Sequence, residues 1–447
     1  MRKIIAYSNK KVTVMGKYAL IIVSALVFSI LTYSSGLRSA MFSSTLRIVE
    51  TFSGNQANSI AQSTMMVVMN DIKEKGSNSV FVPVSGGTYQ SSVTQWSDVR
   101  GSYQVETVSS GDTLRIISTG LYEDRSSSST AGFLATVPPW NPQFDTAVHT
   151  EGNITLNGSA NIKGHVSTNS TAQDAVYLSS TAFIDSSLYV GPGADPGYVI
   201  DKQDEFATNV GLETEALAEE QDYPMPAFPA YPSKDLVGAS VNLGGGSPRT
   251  LAFSEYDGYY IPEVTVKGGN DLTVEVNGES VLYTSRFEVN QGHLHITGTG
   301  TLTIIAEDVF DIGGNSSVNG GGETSRVFTL YGGDSNLSFS GTTLYNAGLF
   351  LKSADITITG SNTFQGSLIS GGNNVSLSGN AEVNARVIYA PNAHVSMSGA
   401  SFIKGAVISD SFSASNNSIV DFTDIPDDEL PDLQSAADPV YTLLYWN

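Results

Sequence analysis

The chain contains no cysteine. That absence removes disulfides, thiolate zinc sites, iron–sulfur clusters and cysteine nucleophiles together. Basic residues are scarce: 22 Lys and Arg stand against 44 Asp and Glu, for a formal charge of −22. So acidic a chain is a poor partner for nucleic acid or an anionic membrane surface, and no nucleic-acid partner is expected. No phosphate loop, dinucleotide fingerprint, HExxH or GxSxG elbow is found either. Gly244-Gly245-Gly246 and Gly320-Gly321-Gly322 read as turns, since neither has the lysine or following helix of a phosphate cradle. One apolar run matters. Residues 18–33 carry no charge, and with Ser34 to Leu37 they approach the roughly 20 residues that cross a bilayer as a helix. Arg2, Lys3, Lys10, Lys11 and Lys17 precede the run, and only Arg38 and Arg47 follow before Glu50. The positive-inside rule then puts the N-terminus in the cytoplasm and the bulk of the chain outside, as a single-pass anchor. A cleaved signal is the competing reading. Its best small-residue site, near Ala40, contains Arg38.

What the chain has in abundance is repetition. Seven phrases end in Gly278, Gly298, Gly320, Gly341, Gly360, Gly379 and Gly399, at steps of 20, 22, 21, 19, 19 and 20 residues. Each alternates apolar and small polar residues, as in Ile356-Thr357-Ile358-Thr359-Gly360. A second register, which includes Gly348-Leu349-Phe350-Leu351 and Gly405-Ala406-Val407-Ile408, advances with the first. Two registers moving together predict a parallel β-helix of about 20 residues per coil. The leucine-rich frame is absent, and an antiparallel sandwich would not need the two registers to march in step. Ile154-Thr155-Leu156-Asn157-Gly158 has the same form, so the helix is expected to begin early.

The remaining segments give a domain plan. Residues 1–42 read as cytoplasmic N-terminus and transmembrane anchor. Residues 43–137 read as an amphipathic helix to Lys75, continuous with the anchor, then a small antiparallel sheet. Its hairpin turns at Ser109-Ser110-Gly111-Asp112. Residues 138–423 form the β-helix, with an excursion at 199–237. That excursion holds a short acidic helix over 201–220 and an extended stretch with Pro224, Pro226, Pro229 and Pro232. Residues 424–447 are expected to be an acidic tail or cap, ending in the apolar stretch 441–446.

Gly36-Leu37-Arg38-Ser39-Ala40-Met41, Thr45 and Gly54-Asn55, following directly on a membrane helix, resemble the N-terminal region of PilX-type minor pilins in the type IV pilin-like superfamily. The resemblance covers roughly residues 10–137. It implies a hydrophobic helix that anchors the precursor and later packs into a pilus shaft, with other pilin-like subunits as partners. Gly16 stands where the glycine before a prepilin cleavage site would be, and Lys17 would be the first mature residue. Ile21 occupies the place of the usual glutamate. The rest is similar to an uncharacterised β-helical domain of bacterial surface proteins, through Phe144-Asp145-Thr146-Ala147-Val148, Gly152-Asn153-Ile154, Gly158 and Gly164. Val387-Ile388-Tyr389-Ala390-Pro391-Asn392-Ala393 and Gly405-Ala406-Val407-Ile408 belong to the same likeness.

Glu307, Asp308 and Asp311, with His293 and His295 one coil earlier, are the candidates for a glycosidase-like acid and base. An exposed polar edge is the plainer reading of these residues. Asp421, Asp424, Asp427, Asp428, Glu429 and Asp432 could supply oxygen ligands to calcium, but they lack the DxDxDG frame. No catalytic, cofactor-binding or metal residue is assigned, and no cofactor is expected. The resulting expectation is a non-enzymatic, membrane-anchored, pilin-like structural protein of the cell surface that displays a β-helix for pilus assembly or adhesion to a surface or glycan. A membrane-tethered polysaccharide-active enzyme and a polymer-forming scaffold are the alternatives.

Overall fold

A computed structural model describes residues 2–83, 87–95, 100–137, 139–140, 142–202, 209–234, 237–245, 248–253, 258–383, 387–425, 433–434 and 439–447. The chain divides into two units: residues 1–138 with 438–447, and residues 139–437. The second is thus inserted between two strands of the first.

The first unit is built on one helix, α1 (Arg2–Lys75). Its apolar stretch, with a mean hydropathy of 2.0 and none of it buried, is long enough to cross a membrane by length and composition. Further along, one stripe turns inward. Ala57, Ile60, Ala61, Met65, Val68 and Ile72 are buried at three- and four-residue steps. Met65, Val68 and Ile72 pack with Val105, Leu114, Ile116, Ala131 and Phe133 of an antiparallel sheet. That sheet contains β1 (Thr88–Gln90), β2 (Thr94–Gln95), β3 (Ser102–Ser110), β4 (Thr113–Tyr122) and β5 (Arg125–Thr136), with β2 beside β3. The predicted hairpin is the β3–β4 pair. One outcome differs from expectation: the apolar stretch at 441–446 belongs to the sheet of the first unit. Val440–Trp446 is a strand paired antiparallel with β5, from Val440 opposite Thr136 to Trp446 opposite Ala131.

The second unit is a parallel β-solenoid. Its coils have three strands, on two wide faces and one narrow face; the narrow face alone holds eleven strands. Inward positions carry aliphatic and aromatic residues that stack coil on coil. Phe339 lies 6.2 Å from Phe364, and Phe364 lies 5.1 Å from Tyr345. Five of the seven phrase-ending glycines adopt the left-handed backbone: Gly298, Gly341, Gly360, Gly379 and Gly399. At the Gly320 phrase the left-handed residue is Asn319 instead.

The coils do not stack in sequence order. From residue 147 the chain winds through 166–190 to 200–202 and 214–216, where it reaches one end. Those last segments are strands of the solenoid, so the expected acidic helix over 201–220 is not formed by them; residues 203–208 of that expectation lie outside the described residues. The chain then crosses to the other end, at 241–260, and winds back coil by coil. Its last coil lands on its first. Val407 pairs with Val148, Phe412 with Ile154, and Val420 with Ile162. Parallel strands cannot leave a long edge unpaired at low cost, and this return covers the edge of the first coil.

Gly298 has φ +83°, and a Cβ there would lie 2.1 Å from the Val276 carbonyl oxygen. Gly321 has φ +76° with nothing within 4 Å. Gly321→Ala should lower solenoid stability by about 1–2 kcal/mol through backbone strain alone. Gly298→Ala should cost clearly more, because the neighbouring coil must also move. Denaturant unfolding of the two variants checks this, and equal losses would contradict the coil-on-coil contact.

Candidate functional site

The crossing segment, residues 217–234, is a strap. Its path is set by proline: Pro224, Pro226, Pro229 and Pro232 hold the backbone extended and lack donors that would need partners. Gln221 meets Ser167 at one end, and Lys234 meets Glu307 at the other. Thirteen residues at a polyproline rise reach about 40 Å. The eight strand spacings from the Ser167 row to the Tyr283 row come to about 38 Å. The segment is therefore just long enough to run across the face.

Beneath it lies an outward row that would otherwise face water: Tyr283, Ile305, Leu330, Phe350, Ile369, Tyr389 and Ile408, all buried. Phe228 packs edge-on to Phe350 at 5.1 Å, and Tyr231 stacks on Tyr283 at 5.6 Å. Tyr389 Oη donates to the Pro224 carbonyl at 2.7 Å. At the far end the Lys234 ammonium sits 2.9 Å from Glu307 and over the rings of Tyr260 and Tyr283. The hydrogen bond to Glu307 pushes the Lys234 pKa above its usual range. At the near end the His149 ring packs 4.8 Å from that of Tyr223. Its Nδ1 lies 2.8 Å from Ser167 Oγ, while Nε2 is buried without a partner. Burial lowers its pKa to about 4.

The candidate acid–base residues are thereby dispersed. Glu307 holds Lys234 of the strap, and Asp308 accepts from Ser285. Asp311 faces outward on the other wide face, beside Glu288 in register; burial first, then Glu288, raises its pKa. His293 and His295 are on the narrow face, hydrogen-bonded to Ser317 and Asp271 respectively. The structure does not bring these residues together. A cleft of about 660 Å³ opens beside Trp140, Tyr223 and Tyr389, and its charged lining residues Asp145, Glu219, Glu220 and Asp222 are all acidic. Among the described residues no group of three or more His, Asp or Glu is arranged to hold a metal. Asp427, Asp428, Glu429 and Asp432 lie outside the described residues.

The other wide face is polar, and its outward hydroxyls are half-exposed or exposed. Ser338, Thr357, Ser376, Ser396, Ser413 and Thr155 are register partners in succession, so six hydroxyls form one row across six coils. At one strand spacing each, the row is about 24 Å long. Beside it, Thr359 pairs with Ser378, and Asn374 with His394. His394 hydrogen-bonds Ser411 and Ser413 through its two ring nitrogens, both at 3.0 Å, which holds that part of the surface in place. The row carries no charge. Charge returns at its two ends: Glu288 with Lys267 and Arg286 in one direction, Asp201 in the other. The Thr155–Ser413 junction lies at the seam where the last coil meets the first. Sequence reading found the alternating phrases but not this junction, because its two members are 258 residues apart.

No family model and no curated protein matches the chain. Among solved structures it is similar to the competence-associated pilin ComZ from Thermus thermophilus, with 13% identity and a TM-score of 0.26, over 88% of this chain and 97% of that one. It is also similar to an ice-binding protein from the Antarctic ascomycete Antarctomyces psychrotrophicus, with 12% identity and a TM-score of 0.19, over 63% and 96% of the two chains. A third likeness is an ice-binding protein from an Antarctic biological consortium, with 13% identity and a TM-score of 0.21, over 64% and 95%. Scores this low leave the functional reading to the residues themselves.

Two outcomes are expected. The folded state holds His149 neutral while the unfolded chain protonates near pH 6.5, so acid favours unfolding between pH 6.5 and about 4. Wild type should lose about 3 kcal/mol across that window relative to His149→Phe, with no further divergence below it. Parallel pH profiles would contradict this. Glu307→Gln should release the Lys234 end of the strap. Hydrogen exchange over 225–234 should quicken while the solenoid strands stay protected; unchanged exchange would contradict the clamp.

Proposed function

We propose that this chain is a non-enzymatic, membrane-anchored structural protein of the cell surface, pilin-like in plan, which displays its solenoid for adhesion. The apolar part of α1 serves as the anchor, with the basic N-terminal residues on the cytoplasmic side. Incorporation into a pilus beside other pilin-like subunits is the finer form of the same proposal. The observation that carries the adhesive role is the uncharged row of six half-exposed or exposed hydroxyls in register on the wide face other than the one the strap crosses.

Each hydroxyl contributes little alone, on the order of 1 kcal/mol. A rigid row spaced by the sheet repeat presents many such bonds at once to a surface that is itself periodic and neutral. A crystalline polysaccharide fits that description. Ice is the second reading, favoured by the same regularly spaced row of hydroxyls. The separation of Glu307, Asp308 and Asp311 from His293 and His295 supports the non-enzymatic reading over a polysaccharide-active enzyme.

Full-length protein in detergent should be retained on one of a set of insoluble neutral polysaccharides or on ice. Thr357→Lys with Ser396→Lys, at half-exposed positions, should abolish retention while moving stability by about 0.5 kcal/mol each or less. Retention that survives the double substitution would contradict the proposal. So would cleavage of the polysaccharide that depends on Glu307 or Asp311.

A further inference from the structure

The near end of the strap is gripped at two points only. Leu217 N still donates to the Val190 carbonyl, and the Pro224 carbonyl accepts from Tyr389. Between them, Gln221 exchanges two bonds with Asn169, N to Oδ1 at 3.0 Å and carbonyl from Nδ2 at 2.7 Å. Its Oε1 also accepts from Ser167 Oγ at 3.3 Å. Tyr223 lays its ring against His149 and donates from Oη to the Gln143 carbonyl at 3.3 Å. Ala218, Glu219, Glu220 and Asp222 are exposed, and the whole segment from Leu217 to Pro224 lines the cleft of about 660 Å³.

His149 beneath this segment is fully buried, and the network fixes its tautomer. The single hydroxyl proton of Ser167 goes to Gln221, so Ser167 accepts from His149 and the imidazole proton sits on Nδ1. Nε2 keeps a bare lone pair with no partner. A second proton there would be a buried charged donor that nothing accepts, which is costly while the segment stays down.

We propose that residues 218–223 form a proton-operated latch: protonation of His149 lifts them from the face, with Leu217 and Pro224 as the hinges, and opens the imidazole to the cleft. The register partners of His149, Ser167 and Ile408, are neutral. The charged groups around it and Tyr223 are all acidic: Asp145 and Glu151 beside its strand, Asp410 on the last coil, and Glu220 and Asp222 on the segment. None of them meets Nε2. Glu151 acts in the opposite sense. Burial first, then Glu220, Asp222 and Asp410, raises its pKa, so its protonation favours the closed segment. For His149 the covered pKa is about 4 and the uncovered one near 6.5, so lifting gains as pH falls through that window and gains no more below it.

Hydrogen exchange of the full-length protein in detergent, corrected for intrinsic rates, tests the latch. From pH 7 to pH 5.5, opening over 217–223 should rise about eightfold in wild type relative to His149→Phe. Strands Val176–Leu178 and Leu188–Val190 should keep their protection. The proposal is overturned if the two proteins respond equally, or if those strands open together with the segment. Should Phe at 149 prevent folding, His149→Gln replaces it. Gln221→Ala with Tyr223→Ala removes both grips and should bring the His149 pKa, read by histidine C2 exchange, up toward 6.5. A value that stays near 4 would contradict the cover.

Discussion

Hydrogen bonds between the last coil and the first hold the solenoid as one stack. Val407 N donates to the Ala147 carbonyl, Phe412 N to Asn153 and Phe422 N to Lys163; Glu151, Gly152, Asn157, Ser159 and Asn161 donate back. Each bond contributes about 0.5–1.5 kcal/mol net. Their larger effect is geometric, since they set the first coil between two others. Aliphatic rows run through this seam without a break: Ile388, Val407 with Val148, and Val166 beyond. A chain that winds out in one direction and back from the other end must also cross the length of the stack, so the seam makes the strap necessary.

The strap and the open face then divide the surface. On one wide face the outward residues are apolar and the chain covers them with its own proline-rich segment. On the other the outward residues are hydroxyls and stay in water. Nothing in the coil geometry requires this difference, because both faces have the same pleat and spacing. It follows from which residues occupy the outward positions. The hydroxyl row is complete only because the seam places Thr155 beside Ser413.

Much of this architecture was legible in the sequence. The phrase from Ile356 to Gly360 shows its inward and outward residues directly, and the second register at Gly348 and Gly405 identifies the coil. The continuous helix, the Ser102–Tyr122 hairpin and the extended path of residues 223–232 follow equally from local signals. What could not be read is long-range order. Periodicity shows that coils exist but not which coil lies on which. Hence the meeting of residues 407–421 with 148–163 was invisible, as was the pairing of Val440–Trp446 with β5 across the inserted solenoid. The acidic run 201–220 looked helical because Glu and Ala favour helices, yet the coil stack took Thr214–Ala216 as a strand. Glu307 and Asp308 looked like candidate chemistry because local sequence does not reveal Lys234 and Ser285 as their partners.

The seam can be tested at Lys163 and Asp421, which are register partners 3.1 Å apart at the side-chain tips and partly exposed. Lys163→Cys combined with Asp421→Cys should yield an intramolecular disulfide on mild oxidation, with each single variant remaining uncross-linked. Coils stacked in sequence order would set these positions at opposite ends of eleven coils, roughly 48 Å apart. Failure of the double variant to close its disulfide while folded would contradict the out-of-order stack.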